Sequence, residues 1–289
     1  MSDTVCLLYA SCQTTKSCSV CTSGPVSPGW DQCMKEGKET LLMGGWTDPG
    51  GHHMASIELV TESLSCPANI PELPVGIQHA ASTVMGDTIL HCGGNNGPQY
   101  RADCYTYTLG KLGAVWEEAP SMEHPRAVFT LESYKGKAYA IGGHSDYGVD
   151  VTGPTVEILI PGQGWNVDPT MQMPNYRDYH CSVMMDLRII VIGGQYAGTA
   201  YSQSVIQFDL EAQQKSWTSL ASTHYGRQHF GCQVGTFQNQ EGIYISGGSN
   251  SGHSLVEFYV DSINKWRKLP SMRSNRHWHT LSLINSNKI

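Results

Sequence analysis

The sequence contains little charge and no long hydrophobic run. Charged residues make up 15% of its 289 residues, against about 25% in an average soluble domain, which disfavours coiled coils and long solvated helices. The longest apolar run, Val5 to Ala10, is far shorter than the roughly 20 residues of a membrane-spanning helix. With 18 basic and 25 acidic residues, a net charge of −7 disfavours a phosphate-backbone partner. We therefore expect neither a membrane nor a nucleic-acid partner.

Sequence motifs for common catalytic chemistry are also missing. The chain has no Gly-x-Ser-x-Gly elbow for a nucleophilic serine and no Gly-x-x-x-x-Gly-Lys loop for a phosphate. Its 12 histidines include His180, His277 and His279, for which we expect strand capping or hydrogen bonds between sheets. We therefore predict a protein without catalytic residues, a bound metal or a cofactor.

Internal repetition is the strongest positive feature of the chain. An apolar stretch runs into a glycine pair five times, and the first glycines lie 49, 49, 51 and 54 residues apart. This spacing is close to the period of about 50 residues of some propeller blades. In each unit, β-branched and aromatic runs alternate with Gly, Pro, Asn and Asp clusters, which predicts four short strands. The pairs are Gly44–Gly45, Gly93–Gly94, Gly142–Gly143, Gly193–Gly194 and Gly247–Gly248.

Tryptophans recur in phase with the glycine pairs. They precede Leu, Pro or Met turns in four units, and a large aromatic side chain at a repeated position favours a core between neighbouring sheets. The paired glycines are expected where a strand end needs a positive φ or where a Cβ atom would clash with the next sheet. The tryptophans are Trp116, Trp165, Trp217 and Trp266.

With these features, and with Arg-x-x-His stretches at 177–180 and 276–279 that open new units, the chain resembles the kelch-repeat family of β-propellers. The resemblance covers about residues 29–289 and implies an all-β propeller. A closed ring removes exposed sheet edges, so we predict six blades, one of them a composite of the C-terminal strands and the Cys-rich segment 1–28. Thr4 to Tyr9 would supply a strand of that blade. Five blades, with segment 1–28 as an appendage, is the alternative.

The resemblance implies a binding module for a protein or peptide, which uses the face formed by the blade-opening loops and the loops after the glycine pairs. Several arginines around one mouth would favour an acidic peptide, and we expect a monomer. Each arginine could equally hold a neighbouring blade. The opening arginines are Arg126, Arg177, Arg227 and Arg276, and the loop candidates are Trp46, Asn95, His144, Tyr147, Gln195, Tyr196 and Asn250.

Two other functions remain open at this point. Copper oxidases with kelch-like propellers use Tyr, His and a Cys-crosslinked Tyr, and this chain contains all three residue types. A metal-dependent oxidase, or another small-molecule enzyme in the propeller channel, is therefore one alternative. A crosslinker of filaments such as actin is the other, because some kelch proteins have that role.

Ten cysteines give a further set of expectations. Cys92 ends a second strand and Cys104 begins a third, so the two are expected to face each other, either as a disulfide or as buried thiols. Cys18 and Cys21 have the spacing of a half zinc site, but no second half follows, so disulfides are the favoured use. That use favours a secreted protein over a cytoplasmic one.

Overall fold

The computed structural model describes residues 70–109, 111–145, 153–195, 201–249, 254–277, 279 and 281. It also describes the backbone of four short strands: β1 (Thr40–Met43), β2 (Trp46–Thr47), β3 (His52–His53) and β4 (Ile57–Val60). β1 pairs with β4 and β2 with β3, both antiparallel. All the longer elements in the described part of the chain are strands, as the short β-branched runs predict.

Four four-stranded antiparallel sheets follow along the chain, and we name them blades A to D. Blade A contains β5 (Ala81–Met85), β6 (Thr88–Cys92), β9 (Cys104–Thr108) and β10 (Glu117–Ala119). Its loop after the glycine pair carries the small hairpin β7 (Asn95–Asn96) and β8 (Gln99–Tyr100). Blade B contains β11 (Thr130–Tyr134), β12 (Lys137–Ile141), β13 (Val156–Ile160) and β14 (Gly164–Val167).

Blade C contains β15 (Cys181–Met185), β16 (Arg188–Ile192), β17 (Val205–Asp209) and β18 (Trp217–Leu220). Blade D contains β19 (Gly231–Phe237), β20 (Gln240–Ser246), β21 (Val256–Val260) and β22 (Lys265–Leu269). Within each blade the strands are hydrogen-bonded in chain order. The first strands of successive blades contact one another, so they form the inner layer and the fourth strands form the rim. The predicted all-β propeller with four strands per unit is confirmed.

The core consists of apolar layers between neighbouring blades. Each tryptophan on or beside a rim strand packs into such a layer and donates its indole N–H to a backbone carbonyl oxygen about 45 residues earlier in the chain. Trp165, for example, donates to the carbonyl of Pro120 at 2.9 Å. The hydrogen bond satisfies the indole N–H while the ring is removed from water. The predicted inter-blade role is confirmed for Trp165, Trp217 and Trp266.

The glycine pairs join each blade to the next. Gly93 and Gly94 have φ of +67° and +85°, and a Cβ on Gly93 would lie 2.6 Å from the carbonyl oxygen of Arg126, which opens blade B. The amide of Gly94 donates to that same oxygen at 2.8 Å. The corresponding bonds run from Gly143, Gly194 and Gly248 to the carbonyls of Arg177, Arg227 and Arg276. Both the left-handed backbone and the close approach therefore require glycine.

Two disulfides lie in the described part of the chain. Cys92 and Cys104 face each other across β6 and β9 and are bonded, so the disulfide interpretation of this pair is confirmed. The second bond, Cys181–Cys232, joins the first strands of blades C and D and was not predicted. Its signal was a separation of 51 residues, about one repeat period, which places two cysteines side by side on adjacent inner strands.

The described residues contain four complete blades, not the predicted six or the alternative five. The pair β1 and β4 belongs to the preceding glycine-pair unit. Segment 1–28, which includes Cys18 and Cys21 and the strand expected at 4–9, lies outside the described residues, as do most of those after 277. No helix in the described part is both long and apolar enough to cross a membrane.

Candidate functional site at the propeller mouth

Three of the four opening arginines lie in the interior. Arg126, Arg177 and Arg227 are 0%, 1% and 1% exposed. Arg126 donates to the carbonyl of Gly142 at 2.7 Å and to the carboxylate of Glu157 at 2.6 Å, both within blade B. Arg227 makes the same two kinds of bond within blade D, and Arg177 bonds a backbone carbonyl and a serine hydroxyl within blade C. These buried guanidinium groups hold their own blades together, and we correct the expectation that they contact a partner.

Arg276 differs from those three, because it lies on the surface of the described part. Its carbonyl still accepts a hydrogen bond from Gly248. Trp46 lies in β2, where its backbone pairs with His53. The remaining loop candidates Tyr147, Tyr196 and Asn250 lie outside the described residues.

The two sets of loops do form one face of the molecule. In each blade an isolated backbone bridge ties the opening loop to the loop after the glycine pair. Asn95, His144 and Gln195 lie in these bridges and are partly exposed. Oδ1 of Asn95 also accepts a hydrogen bond from Nδ1 of His79 at 3.0 Å. The bridges are Gln78–Asn95, Ala127–His144, Asp178–Gln195 and Gln228–Ser249.

A ring of unusual backbone conformations surrounds the mouth of the central channel. The residue two positions after each opening site has a left-handed backbone, with φ of +59° at His79, +52° at Val128, +51° at Tyr179 and +56° at His229. The amides of the last three donate to the carbonyls of their predecessors in the ring at 3.0, 3.1 and 3.3 Å. Non-glycine residues rarely adopt this conformation, and such strain concentrates at binding sites.

Six polar and aromatic side chains converge beside this ring, and we name them the mouth cluster. They form two groups that share His144: a hydrogen-bonded chain and a ring stack. Blade A supplies one residue, blade B one, blade C three and blade D one, so no single blade forms the site. The six are Tyr100, His144, Tyr176, Asp178, Tyr179 and His229.

The hydrogen-bonded chain is centred on Asp178, which is 5% exposed. Its Oδ2 lies 2.9 Å from Nδ1 of His144 and accepts from the hydroxyl of Tyr176 at 3.1 Å. Nε2 of His144 in turn lies 3.0 Å from the hydroxyl oxygen of Tyr100. A carboxylate on one ring nitrogen fixes the orientation of the imidazole and favours a proton on that nitrogen.

The ring stack is centred on Tyr179. Its ring packs edge to face on His229 at 4.2 Å between centroids and lies 5.8 Å from His144. Burial, and then the negative charge of Asp178, raise the pKa of Tyr179 to about 12, so its hydroxyl stays protonated. Burial lowers the pKa of His229 to about 3, so this ring is neutral at physiological pH. Tyr179 and His229 therefore present neutral aromatic surfaces next to the carboxylate of Asp178.

Behind the mouth, a cavity of about 550 Å³ lies between the four inner strands. Glu132 of β11 reaches across to β15 and accepts a hydrogen bond from the hydroxyl of Ser182 at 2.6 Å. Burial raises the pKa of the Glu132 carboxyl to about 7. The described residues contain no group of three His, Cys, Asp or Glu side chains arranged to hold a metal ion.

Sequence reasoning identified His144 of the mouth cluster and missed the other five residues. The sequence feature that could have identified the ring is the position of these residues within each repeat. His79, Val128, Tyr179 and His229 follow one another at about 50 residues, each two positions beyond the residue that opens its unit. Their side chains share a place in the ring although their chemistry differs.

No model of a known protein family matches the chain. Kelch-like protein 33 of Homo sapiens is 26% identical over 152 residues, covering 48% of this chain and 26% of that protein. A RING finger domain and kelch repeat-containing protein of Dictyostelium discoideum is 33% identical over 122 residues, covering 41% of this chain and 12% of that protein. The chain therefore matches well under half the length of either curated relative.

The solved structure of YjhT superposes with a TM-score of 0.68 over 84% of this chain and 83% of that one, at 14% identity. At this identity the likeness establishes the fold. Both curated relatives carry kelch in their names. The described part of this chain is therefore a β-propeller, and the chain is similar in sequence to kelch-repeat proteins.

Proposed function

We propose that this propeller binds a protein or peptide at the mouth cluster and carries out no reaction of its own. The observation behind the proposal is the ring of left-handed positions occupied by His, Val, Tyr and His. Glycine or asparagine would satisfy that backbone at lower cost, so large side chains there need a reason beyond folding. Rigid blades that hold convergent aromatic and polar groups on one loop face are typical of binding surfaces.

The sequence relatives support an interaction role in a general way. Both carry kelch in their names, and the loop face of this chain carries the partly exposed rings of Tyr100, Tyr176 and Tyr179. We further propose a monomeric binding unit. The two disulfides in the described part support an extracellular setting, since such bonds persist in oxidising compartments.

The test is affinity capture with a matched pair of double variants. The mouth variant carries Tyr179→Gly and His229→Gly, which remove two rings at positive φ while keeping the backbone favourable. The control carries Lys135→Gly and Asp186→Gly, which have φ of +47° and +53° in hairpin turns at the opposite ends of the strands.

We expect a partner that wild type and the control capture from an extract of the source organism and that the mouth variant loses. Isothermal titration with the purified partner then measures the loss. A partner retained by the mouth variant, with the control behaving identically, would refute the assignment of this face.

We also propose that the ring closes with more blades than the four described, in line with the expected six. Gly248 bonds the carbonyl of Arg276 as each earlier pair bonds the next opening arginine, so a unit follows blade D as one follows A, B and C. The strands β1 and β4 belong to a unit before blade A. A crystal structure would count the blades, and a ring closed by four would contradict this.

Two further measurements separate this proposal from the other functions that the sequence left open. Roughly one tightly held transition metal per purified chain would favour an enzyme in the channel. Co-sedimentation with actin filaments would favour a crosslinker. We expect neither result.

A further inference from the structure

The mouth cluster contains one carboxylate and no arginine or lysine. The sequence places arginines at the blade openings, but the guanidinium groups of Arg126, Arg177 and Arg227 are buried and bonded within their blades. Below the surface, each guanidinium group is therefore hydrogen-bonded to a backbone carbonyl, and in blades B and D also to a carboxylate. What lies beside the channel mouth is Asp178, a carboxylate 95% removed from solvent by the residues around it.

This carboxylate retains unused acceptor capacity. Its Oδ2 holds His144 and Tyr176, while Oδ1 is buried and has no hydrogen-bond partner in the described structure. A buried carboxylate oxygen without a donor is costly, because its desolvation is not compensated. An additional positive charge placed nearby would lower that cost.

Aromatic faces surround the same point. Tyr100 contacts His144 at 5.4 Å between ring centroids, His144 contacts Tyr179 at 5.8 Å, and Tyr179 contacts His229 at 4.2 Å. Tyrosine rings attract cations through their negative faces, and the attraction grows where water is excluded. A carboxylate below a group of aromatic rings therefore has the chemistry that recognises an ammonium or a guanidinium group.

We propose that the mouth cluster receives a cationic side chain, lysine or arginine, from a basic peptide segment of the partner. The inference rests on the proposed function and specifies the chemistry of its ligand. It replaces the acidic peptide that the opening arginines suggested. The cation contacts the rings, and the covered carboxylate attracts it through a region of low dielectric constant.

The test uses fluorescence anisotropy with three labelled Gly/Ser peptides of equal length, which carry arginines, citrullines or glutamates at the same positions. Citrulline preserves the shape of arginine without its charge. We expect wild type to bind the arginine peptide at least about tenfold more tightly than either of the others, and to lose affinity as salt is raised. Equal binding of the citrulline peptide, tighter binding of the glutamate peptide, or no binding of any peptide would overturn the inference.

Variants of the cluster make the test specific. Asp178→Asn keeps the shape of the side chain and should weaken arginine-peptide binding about tenfold while abolishing the preference over citrulline. Tyr179→Gly should weaken it about fivefold, and Lys135→Gly should have no effect. The thermal unfolding midpoint reports whether each variant is folded. If Asp178→Asn fails to fold, the citrulline comparison in wild type still decides the question.

Failure of this inference is distinguishable from failure of the proposed function. A partner that the mouth variant loses in affinity capture, but that contacts the propeller through acidic residues, would leave the binding function intact and refute the cationic ligand. Absence of any mouth-dependent partner, together with no discrimination among the peptides, would refute both.

Discussion

His180 makes the stability of the propeller depend on pH in a way that can be removed by one substitution. Its ring lies against Gly142, where a Cβ would come within 2.9 Å of it, and phenylalanines occupy the same place in two other blades: Phe129 against Gly93 and Phe230 against Gly193. His180 is 7% exposed, and burial lowers its pKa to about 3. The folded blade thus holds a neutral imidazole where an apolar ring would also fit.

The sign and size of this pH dependence follow from the difference in pKa between the folded and unfolded states. An unfolded histidine has a pKa near 6.5, so below that pH the unfolded chain binds a proton that the folded chain excludes, and stability falls as the pH is lowered. With a folded pKa of about 3, His180 alone should cost roughly 2 kcal/mol of unfolding free energy between pH 8 and pH 5. The loss continues until the pH approaches the folded value.

His180→Phe removes this dependence. It also removes the 3.1 Å contact between Nε2 and the hydroxyl of Thr130, which costs about 1 kcal/mol. We therefore expect the variant to be about 1 kcal/mol less stable than wild type at pH 8 and about 1 kcal/mol more stable at pH 5. Urea unfolding at a series of pH values measures the crossing.

The reciprocal substitution Phe230→His provides the control, because it should introduce a similar acid-dependent loss into blade D. Other buried histidines, such as His91 with a pKa lowered to about 4 by burial, contribute equally to both chains and cancel in the difference. Parallel stability curves for wild type and His180→Phe would refute the reasoning, since they would mean that the folded imidazole is protonated as readily as the unfolded one.

Three other sets of substitutions test the fold. Gly142→Ala should cost at least about 3 kcal/mol, because its Cβ would lie 2.6 Å from a backbone oxygen, whereas Gly162→Ala, with φ +77° and open space around it, should cost about 1 kcal/mol. Val128→Gly should be about 1 kcal/mol more stable than Val128→Ala, the reverse of the usual order, because φ is +52°. Joint replacement of Cys181 and Cys232 by alanine should cost up to about 4 kcal/mol for the loop that this bond closes. Urea unfolding measures each free energy, and non-reducing mass spectrometry verifies the disulfide. Equal costs for the two glycine variants would contradict the first argument, and a Val128→Ala variant more stable than Val128→Gly would contradict the second. Unchanged stability without the two cysteines would contradict the third.

The features that were predictable are those that every unit repeats for the same steric reason. The glycine pair is required where one strand end meets the next blade, and the tryptophan indole donates to a backbone carbonyl about 45 residues earlier four times. Periodicity therefore predicted the strands and the sheets, and the resemblance to kelch propellers implied the loop face. It also placed Cys92 opposite Cys104, because folding a short loop back onto its own strand leaves little choice of neighbour.

The site was less predictable because sequence does not reveal which way a polar side chain turns. An arginine that opens a blade could point to solvent or into the blade, and at Arg126 the decision depends on Glu157, which lies 31 residues further on in the third strand. In blade C the same strand position is held by Ile206, and Arg177 bonds the hydroxyl of Ser204 instead. Such pairings become visible only when the register of the third strand is known.

The interior and the mouth of this propeller therefore follow different rules. Inside, the same bonds recur from blade to blade, as at Arg126 and Arg227, and changing one of these groups leaves a buried partner unsatisfied. At the left-handed ring, the backbone repeats while the side chain changes from His79 to Val128 to Tyr179. If these positions served only to form the fold, glycine would adopt the same left-handed backbone at a lower energetic cost. The variation of large side chains on a strained and repeated backbone is what is expected if the blades provide the scaffold and this ring provides the specificity of binding.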